Sequence, residues 1–162
     1  MAHPAKTSAA ASTPRSPLVA IIPGLYVSGI TAARDGALLQ KMGIHAVLNM
    51  CEEWDVRDHV AGIEYHRATI YDTDTECLPL AHTNALLSRI HRDEKKTVLV
   101  HCIAGRNRSL ATIVGYLRFL RGWTLDEVRK HFENIPLKPL STISANFMRQ
   151  LEEWHPDTPQ CT

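Results

Sequence analysis

The chain has 162 residues, with 18 Lys and Arg against 17 Asp and Glu and a formal net charge of +1. That length suits one domain built on a single sizeable core. The near-neutral balance excludes a basic nucleic-acid scaffold and an acidic interaction tail. The longest apolar runs are too short to cross a bilayer or to form the core of a secretory signal, so a soluble protein without stable membrane insertion is expected.

Residues 1–17 are rich in Ala, Ser, Thr and Pro, carry Lys6 and Arg15, and contain no acid. Such a stretch buries too little surface to fold and is expected to be a disordered tail. Acid-free, Arg- and Ser-containing composition also occurs in mitochondrial presequences, but Pro4, Pro14 and Pro17 work against a long amphipathic helix. Short strands are expected near 18–22 and 25–28, then a helix near 31–42 with Ala33, Leu38, Leu39 and Met42 as its apolar positions. Gly43 stands where a helix C-terminus favours a left-handed residue. Ala46-Val47-Leu48 reads as a strand, and Gly62 precedes another near 63–68. A loop rich in Thr and Asp leads to a helix near 80–92 that includes Leu80, Leu86, Leu87 and Ile90.

The β-branched run Thr97-Val98-Leu99-Val100 reads as a buried strand ending at His101. Three helices follow, near 109–121, 124–134 and 141–154. Gly122 separates the first two, and Thr124 with Glu127 makes a capping box. Pro156 marks the end of the folded part, leaving 18–155 as the domain and 156–162 as a short tail. Strands interleaved with helices predict an α/β fold, a central mostly parallel sheet flanked by helices. Such folds place ligands at the carboxyl ends of their central strands.

The most informative stretch lies at one such end. His101-Cys102-Ile103-Ala104-Gly105-Arg106-Asn107-Arg108-Ser109 connects a strand to the start of a helix, where backbone N–H groups and the positive helix end favour an anion. Residues Ile103 to Arg108 would cradle a phosphoryl group. Cys102 is useful there as a thiolate, which a helix N-terminus and a nearby arginine stabilise from the ordinary thiol value near 8.5. Arg108 supplies a planar fork that holds two phosphoryl oxygens, which lysine does not reproduce. Gly105 permits close backbone approach. Ser109 opens the helix and donates to the sulfur when it leaves, and His101 fixes the loop through its own hydrogen bonds. A structural cysteine beside a capping serine would not need these residue types together.

Breaking a phosphate ester also needs the leaving oxygen protonated from the side opposite the thiolate. Residues 70–76 (IYDTDTE) offer Asp72, Asp74 and Glu76 on a segment able to approach the pocket, and at least one of these is an ordinary solvated acid.

The loop string resembles the signature of the cysteine-dependent protein tyrosine phosphatase superfamily, and Ala104-Gly105 followed by Arg108-Ser109 resembles its dual-specificity branch. Ile22-Pro23-Gly24-Leu25-Tyr26-Val27, residues 39–49 (LQKMGIHAVLN) and Phe147-Met148-Arg149-Gln150-Leu151 resemble further segments of that branch, so the likeness spans about residues 20–155. It implies a dual-specificity phosphatase fold and a phosphocysteine intermediate. Asp72 is implied as the general acid, with Asp74 next and Glu76 third. The implied substrates are phosphotyrosine and phosphoserine or phosphothreonine in proteins.

Met50-Cys51-Glu52-Glu53-Trp54-Asp55 also resembles a segment of mitochondrial phosphatidylglycerophosphate phosphatases, so a phospholipid, that one or a phosphoinositide, is the alternative substrate. Ile103, where those enzymes usually carry Lys, weakens this alternative. Asn107 departs from the Ser common in protein-directed members. Glu52, Glu53 and Asp55 otherwise read as a polar loop, and Trp54 as cover for the core edge. A phospho-binding module without activity is the third class, and it would normally lack the cysteine or the acid. Cys51 resembles the partner cysteine of phosphoinositide phosphatases that form a reversible disulfide with the nucleophile, and equally suits a buried packing role.

Cys51, Cys77, Cys102 and Cys161 show no Cys-x-x-Cys spacing, and the chain is large enough not to need disulfide staples. A thiolate enzyme needs a reducing compartment, so the cytoplasm is expected, with the mitochondrion as alternative. The nine histidines lack metal-ligand spacing. No metal, cofactor or nucleic acid is expected, and the protein should act as a monomer.

Overall fold

A computed structural model describes residues 18–53, 59–137 and 140–157. The expected tail over 1–17, most of the one over 156–162, and Trp54 and Asp55 lie outside the described residues. Five strands form one sheet: β1 (Val19–Ile22), β2 (Leu25–Ser28), β3 (Ala46–Cys51), β4 (Glu64–Ile70) and β5 (Val98–His101), in the order β1-β2-β5-β3-β4. β1 pairs antiparallel with β2 across Pro23-Gly24, and every other pairing is parallel. The expected mostly parallel sheet is therefore present, with one antiparallel edge strand, and β5 is its middle strand.

Helices cover both faces. α1 (Ile30–Ala33) and α2 (Gly36–Lys41) lie on one side, where Ala33 and Leu39 pack with Ile44, Val47 and Leu99. The larger core lies on the other side. It joins Leu48, Val98 and Val100 to residues of α3 (Leu80–Leu87), α4 (Arg108–Arg121), α5 (Leu125–Phe132) and α6 (Ala145–Glu153). α4 is the centre of that layer, with each residue from Arg108 to Leu117 buried. A side chain such as Leu110, fully withdrawn from water, stabilises the fold by about 1.5–3 kcal/mol. Thr124 accepts from the Glu127 N–H while Glu127 accepts from the Thr124 N–H, the reciprocal cap expected for α5. Gly43 and Gly122 take the left-handed conformation at φ +64° and +65°, as expected of residues closing helices.

Several expectations need correction. The single helix near 31–42 is two short helices, because the Asp35 carboxylate caps the Leu38 N–H at 3.0 Å and restarts the chain at Gly36. The helix near 80–92 is α-helical only to Leu87 and continues as π-helical turns over Ser88–Asp93. The helix near 141–154 begins as a separate 3-10 turn, Leu140–Thr142, and restarts at Ala145 with Ser144 as its cap. The third strand runs to Cys51, so Met50 and Cys51 belong to the sheet and not to the loop after it. Cys77 is disulfide-bonded, against the expectation of no pairing, while Cys51 and Cys102 are free thiols.

Candidate active site

β5 ends at His101 and α4 begins at Arg108. Residues 102–107 therefore turn between the carboxyl end of the middle strand and the amino end of the buried helix. Cys102, the first residue past the strand, is 3% exposed. His101 is wholly buried, its Nδ1 3.4 Å from the Cys102 carbonyl oxygen.

The loop rests on the junction between β2 and α1. The Ile30 N–H donates to the Ile103 carbonyl at 2.9 Å. Gly105 adopts φ +68°, and a Cβ there would sit 2.7 Å from the Ser28 carbonyl carbon and 2.8 Å from the Gly29 nitrogen. A Cβ on Gly29 would in turn meet the Ile103 oxygen at 2.7 Å. Two glycines thus let two backbones touch, and the loop has no room to relax outward. Gly105→Ala should cost on the order of 1–3 kcal/mol of stability from the left-handed backbone alone, with the backbone clash added. The melting temperature and the affinity for phosphate should fall together. A variant with wild-type melting and wild-type phosphate affinity would contradict this packing account.

Arg108 is 2% exposed. Its Nη1 donates to Glu53 Oε2 at 2.5 Å and to the Ile70 carbonyl at 2.9 Å. Its Nε is buried with no hydrogen-bond partner among the described residues. One edge of the guanidinium is thus tied to the ends of β3 and β4. The Nε donor still needs an acceptor, which a phosphoryl oxygen supplies. Burial works against the Arg108 charge, but the Glu53 hydrogen bond and the negative Cys102 outweigh it and raise its pKa. Burial also pushes the Glu53 carboxyl up, yet the Arg108 hydrogen bond holds it below its ordinary value. Ser109 Oγ lies 3.2 Å from Cys102 Sγ, both groups buried, so the hydroxyl is placed to stabilise a departing thiolate.

Among the three candidate acids, Asp72 is the one whose carboxylate meets the loop. Asn107 Nδ2 donates to Asp72 Oδ1 at 2.5 Å. Asp74 lies further along the exposed turn, and Glu76 is engaged through its carbonyl, which accepts from Asn146 Nδ2 and Gln150 Nε2 at 2.9 Å each. Arg106 and Ala104 are exposed, Ile103 is half-buried, and the Arg106 carbonyl accepts from Thr142 Oγ1 at 2.9 Å.

Cys51 is wholly buried in the same core as Cys102. β3 pairs Asn49 with His101, and its register against β4 shifts between Asn49 and Cys51, so Cys51 follows just beyond the level of the nucleophile. Its thiol is pushed up to about 12, first by burial and next by the negative charge of Cys102.

Sequence reasoning brought together Cys102, Arg108, Ser109 and Asp72, and the fold does place them around one loop. It missed two contacts. Glu53 reads in sequence as a polar loop residue, and its position beside a buried guanidinium depends on the sheet. The Asn107 side chain was given no role apart from the cradle. Its place just before Arg108 was the only signal available.

A buried thiol, an arginine fork and a carboxylate around a strand-to-helix loop define the class of cysteine-dependent phosphatase sites. Residues 25–157 match the family model described as dual specificity phosphatase, catalytic domain, and the chain belongs to that family. It is 33% identical over 119 residues to human protein phosphatase Slingshot homolog 2, an alignment covering 72% of this chain and 8% of that protein. It is 31% identical over 134 residues to the protein-tyrosine-phosphatase IBR5 of Arabidopsis thaliana, covering 80% of this chain and 48% of that one. The chain thus spans less than half the length of either relative. Among solved structures, human DUSP28 superposes with a TM-score of 0.73 at 25% identity, covering 84% of this chain and 94% of that one. OH1 from the Orf virus, a tyrosine phosphatase described as having triple substrate specificity, superposes with a TM-score of 0.66 at 25% identity, covering 85% of each chain.

Proposed function

We propose that this protein hydrolyses phosphate monoesters through a phosphocysteine, with phosphotyrosine and phosphoserine or phosphothreonine of proteins as its substrates. The observation that carries the reading is the loop itself: Cys102 with Ser109 at 3.2 Å, the Arg108 Nε awaiting an acceptor, and Asp72 held at the rim by Asn107 at 2.5 Å.

In the first step the Cys102 sulfur attacks phosphorus in line. The phosphorus–oxygen bond to the leaving group breaks, and its electron pair stays on that oxygen, which takes the proton of Asp72. In the second step Asp72 removes a proton from water, whose oxygen attacks phosphorus. The sulfur–phosphorus bond then breaks with its pair returning to Cys102, where the Ser109 hydroxyl meets the thiolate. Arg108 spans two phosphoryl oxygens in both steps, so positioning and charge stabilisation carry most of the acceleration.

A protein substrate is favoured over a phospholipid. The chain's matched relatives are named as protein and tyrosine phosphatases, and the apolar Ile103 adds no cation for a highly anionic head group. The nucleophile works only when reduced, which points to the cytoplasm as its compartment, while the Cys77 disulfide points the other way. The deciding experiment is turnover on a matched panel of phosphotyrosine peptide, phosphothreonine peptide, phosphoinositide and phosphatidylglycerophosphate, with Cys102→Ser as the blank. The peptides should be turned over faster, and a preference for either lipid would overturn the substrate class.

Cys51 has a testable place in this scheme. A sulfenic acid formed on Cys102 would be trapped as a disulfide by a neighbouring thiol, with loss of water. Its raised pKa keeps Cys51 mostly protonated, so trapping should be slow at neutral pH and faster as pH rises. After mild peroxide, a thiol reductant should restore activity to the wild type and not to Cys51→Ser. Equal recovery in both would leave Cys51 as a packing residue.

A further inference from the structure

Asn107 stands at the N-cap of α4, the position where an asparagine ordinarily accepts a hydrogen bond from the first turn of its own helix. Here it makes no such bond. Both ends of its amide point elsewhere. Nδ2 donates to Asp72 Oδ1 at 2.5 Å, and Oδ1 accepts from the Ser144 N–H at 2.8 Å. Ser144 is itself the cap of α6, accepting from the Phe147 N–H through its hydroxyl. One side chain therefore joins the phosphate loop, the acid-bearing loop and the start of α6.

The far end of the acid-bearing loop is held by the same helix. Asn146 Nδ2 and Gln150 Nε2 both donate to the Glu76 carbonyl at 2.9 Å, and Gln150 Oε1 accepts from the Leu78 N–H at 2.8 Å. Thr142, in the turn before α6, donates to the Arg106 carbonyl at 2.9 Å. The segment from Asp72 to Leu78 is thus pinned to α6 at one end and to Asn107 at the other. Without Asn107 the remaining ties of this segment are at Glu76 and Leu78 on one side and at the Ile70 carbonyl on the other, and the exposed Asp72 between them would lose its link to the phosphate loop.

We infer that Asn107 is the positioning residue of the general acid: its amide docks Asp72 over the phosphate loop and anchors that dock to α6. The inference rests on the proposed reaction. Its chemistry is specific to an amide, which donates to a carboxylate and accepts from a backbone N–H at once, whereas an aspartate has no hydrogen to donate. Donation to Oδ1 in both protonation states leaves Oδ2 as the oxygen that carries and delivers the proton. Turning away from α4 also leaves the first N–H groups of that helix uncapped by this side chain, free for the phosphoryl oxygens.

The test compares Asn107→Ala with the wild type on phenyl phosphate, whose leaving group needs a proton, and on 2,4-dinitrophenyl phosphate, whose leaving group does not. For Asn107→Ala, kcat on phenyl phosphate should fall by about tenfold or more, within the range a positioned acid contributes. On the activated ester the fall should be several-fold smaller, because the substitution removes the amide that holds the acid and leaves the backbone of residue 107 in the phosphate loop. In an Asp72→Asn background, Asn107→Ala should add almost nothing further on phenyl phosphate, the non-additivity expected of two residues acting as one unit.

Equal losses on both esters, or full additivity with Asp72→Asn, would overturn the positioning role. Should Asp72→Asn itself leave phenyl phosphate turnover intact, the assignment of the acid fails and not only that of its anchor. Asn107→Leu, which keeps the shape of the side chain without its hydrogen bonds, serves the same comparison if the alanine variant does not fold.

Discussion

Cys102→Ser is expected to lower turnover of an aryl phosphate by about 10³-fold or more while inorganic phosphate still binds. In the proposed reaction the sulfur attacks phosphorus, and the side-chain partner of Cys102 among the described residues is the Ser109 hydroxyl at 3.2 Å, which is not a base able to ionise a serine in its place. The phosphate cradle does not depend on the sulfur. It is built by the loop backbone seated on Ser28 and Gly29 and by Arg108, which keeps its contacts to Glu53 and the Ile70 carbonyl. Arg108→Lys makes the complementary case. An ammonium cannot serve Glu53, the Ile70 carbonyl and two phosphoryl oxygens together, so a loss of about 10²–10³ is expected, the usual worth of a preorganised charge donor. Here phosphate affinity should fall as well. Isothermal titration with phosphate beside steady-state rates separates the two variants, and a Cys102→Ser protein that retained a substantial fraction of activity would refute the phosphocysteine mechanism.

Asp72→Ala should lower kcat by about 10²–10⁴, the range for a positioned general acid. The loss should shrink as the leaving group becomes a weaker base, because a good leaving group departs without a proton. The basic limb of the pH–rate profile should flatten, since it reports the group that must be protonated when the ester breaks. Asp74→Ala should do much less, because among the described residues it is the Asp72 carboxylate that is hydrogen-bonded to the loop, by Asn107 at 2.5 Å. A series of aryl phosphates of graded leaving ability, measured across pH on both variants, checks the ranking. The opposite order would transfer the acid role to Asp74.

The proposed reaction chemistry was legible in the sequence by itself. Residue types within one short loop carry it, and the strand before and the helix after were readable from their apolar periods. His101 to Ser109 are adjacent in the chain, so their meeting required no knowledge of the fold. The alternation of elements was equally local, and so was the Thr124–Glu127 cap. Errors concentrated where a local choice competes with a periodic pattern. Asp35 interrupts a good helical stripe because its side chain satisfies a backbone N–H that a continuous helix would have satisfied itself.

Only the tertiary structure decided how distant segments meet that loop. Glu53 reaches Arg108 because β3 lies beside β5 in the sheet and ends at the same edge. The family resemblance already ranked Asp72 above Asp74, but the physical ground for that order is tertiary: the turn after β4 presents Asp72 to Asn107. Asn107 in turn faces the acid because α6, far along the chain, packs against α4 and offers the Ser144 N–H to its oxygen. Sequence spacing fixes what a residue does with its neighbours within a turn of helix or a strand. Which carboxylate, which amide and which second cation partner share a site is set by the order of strands and the packing of helices, where contacts are made across tens of residues and no local pattern records them.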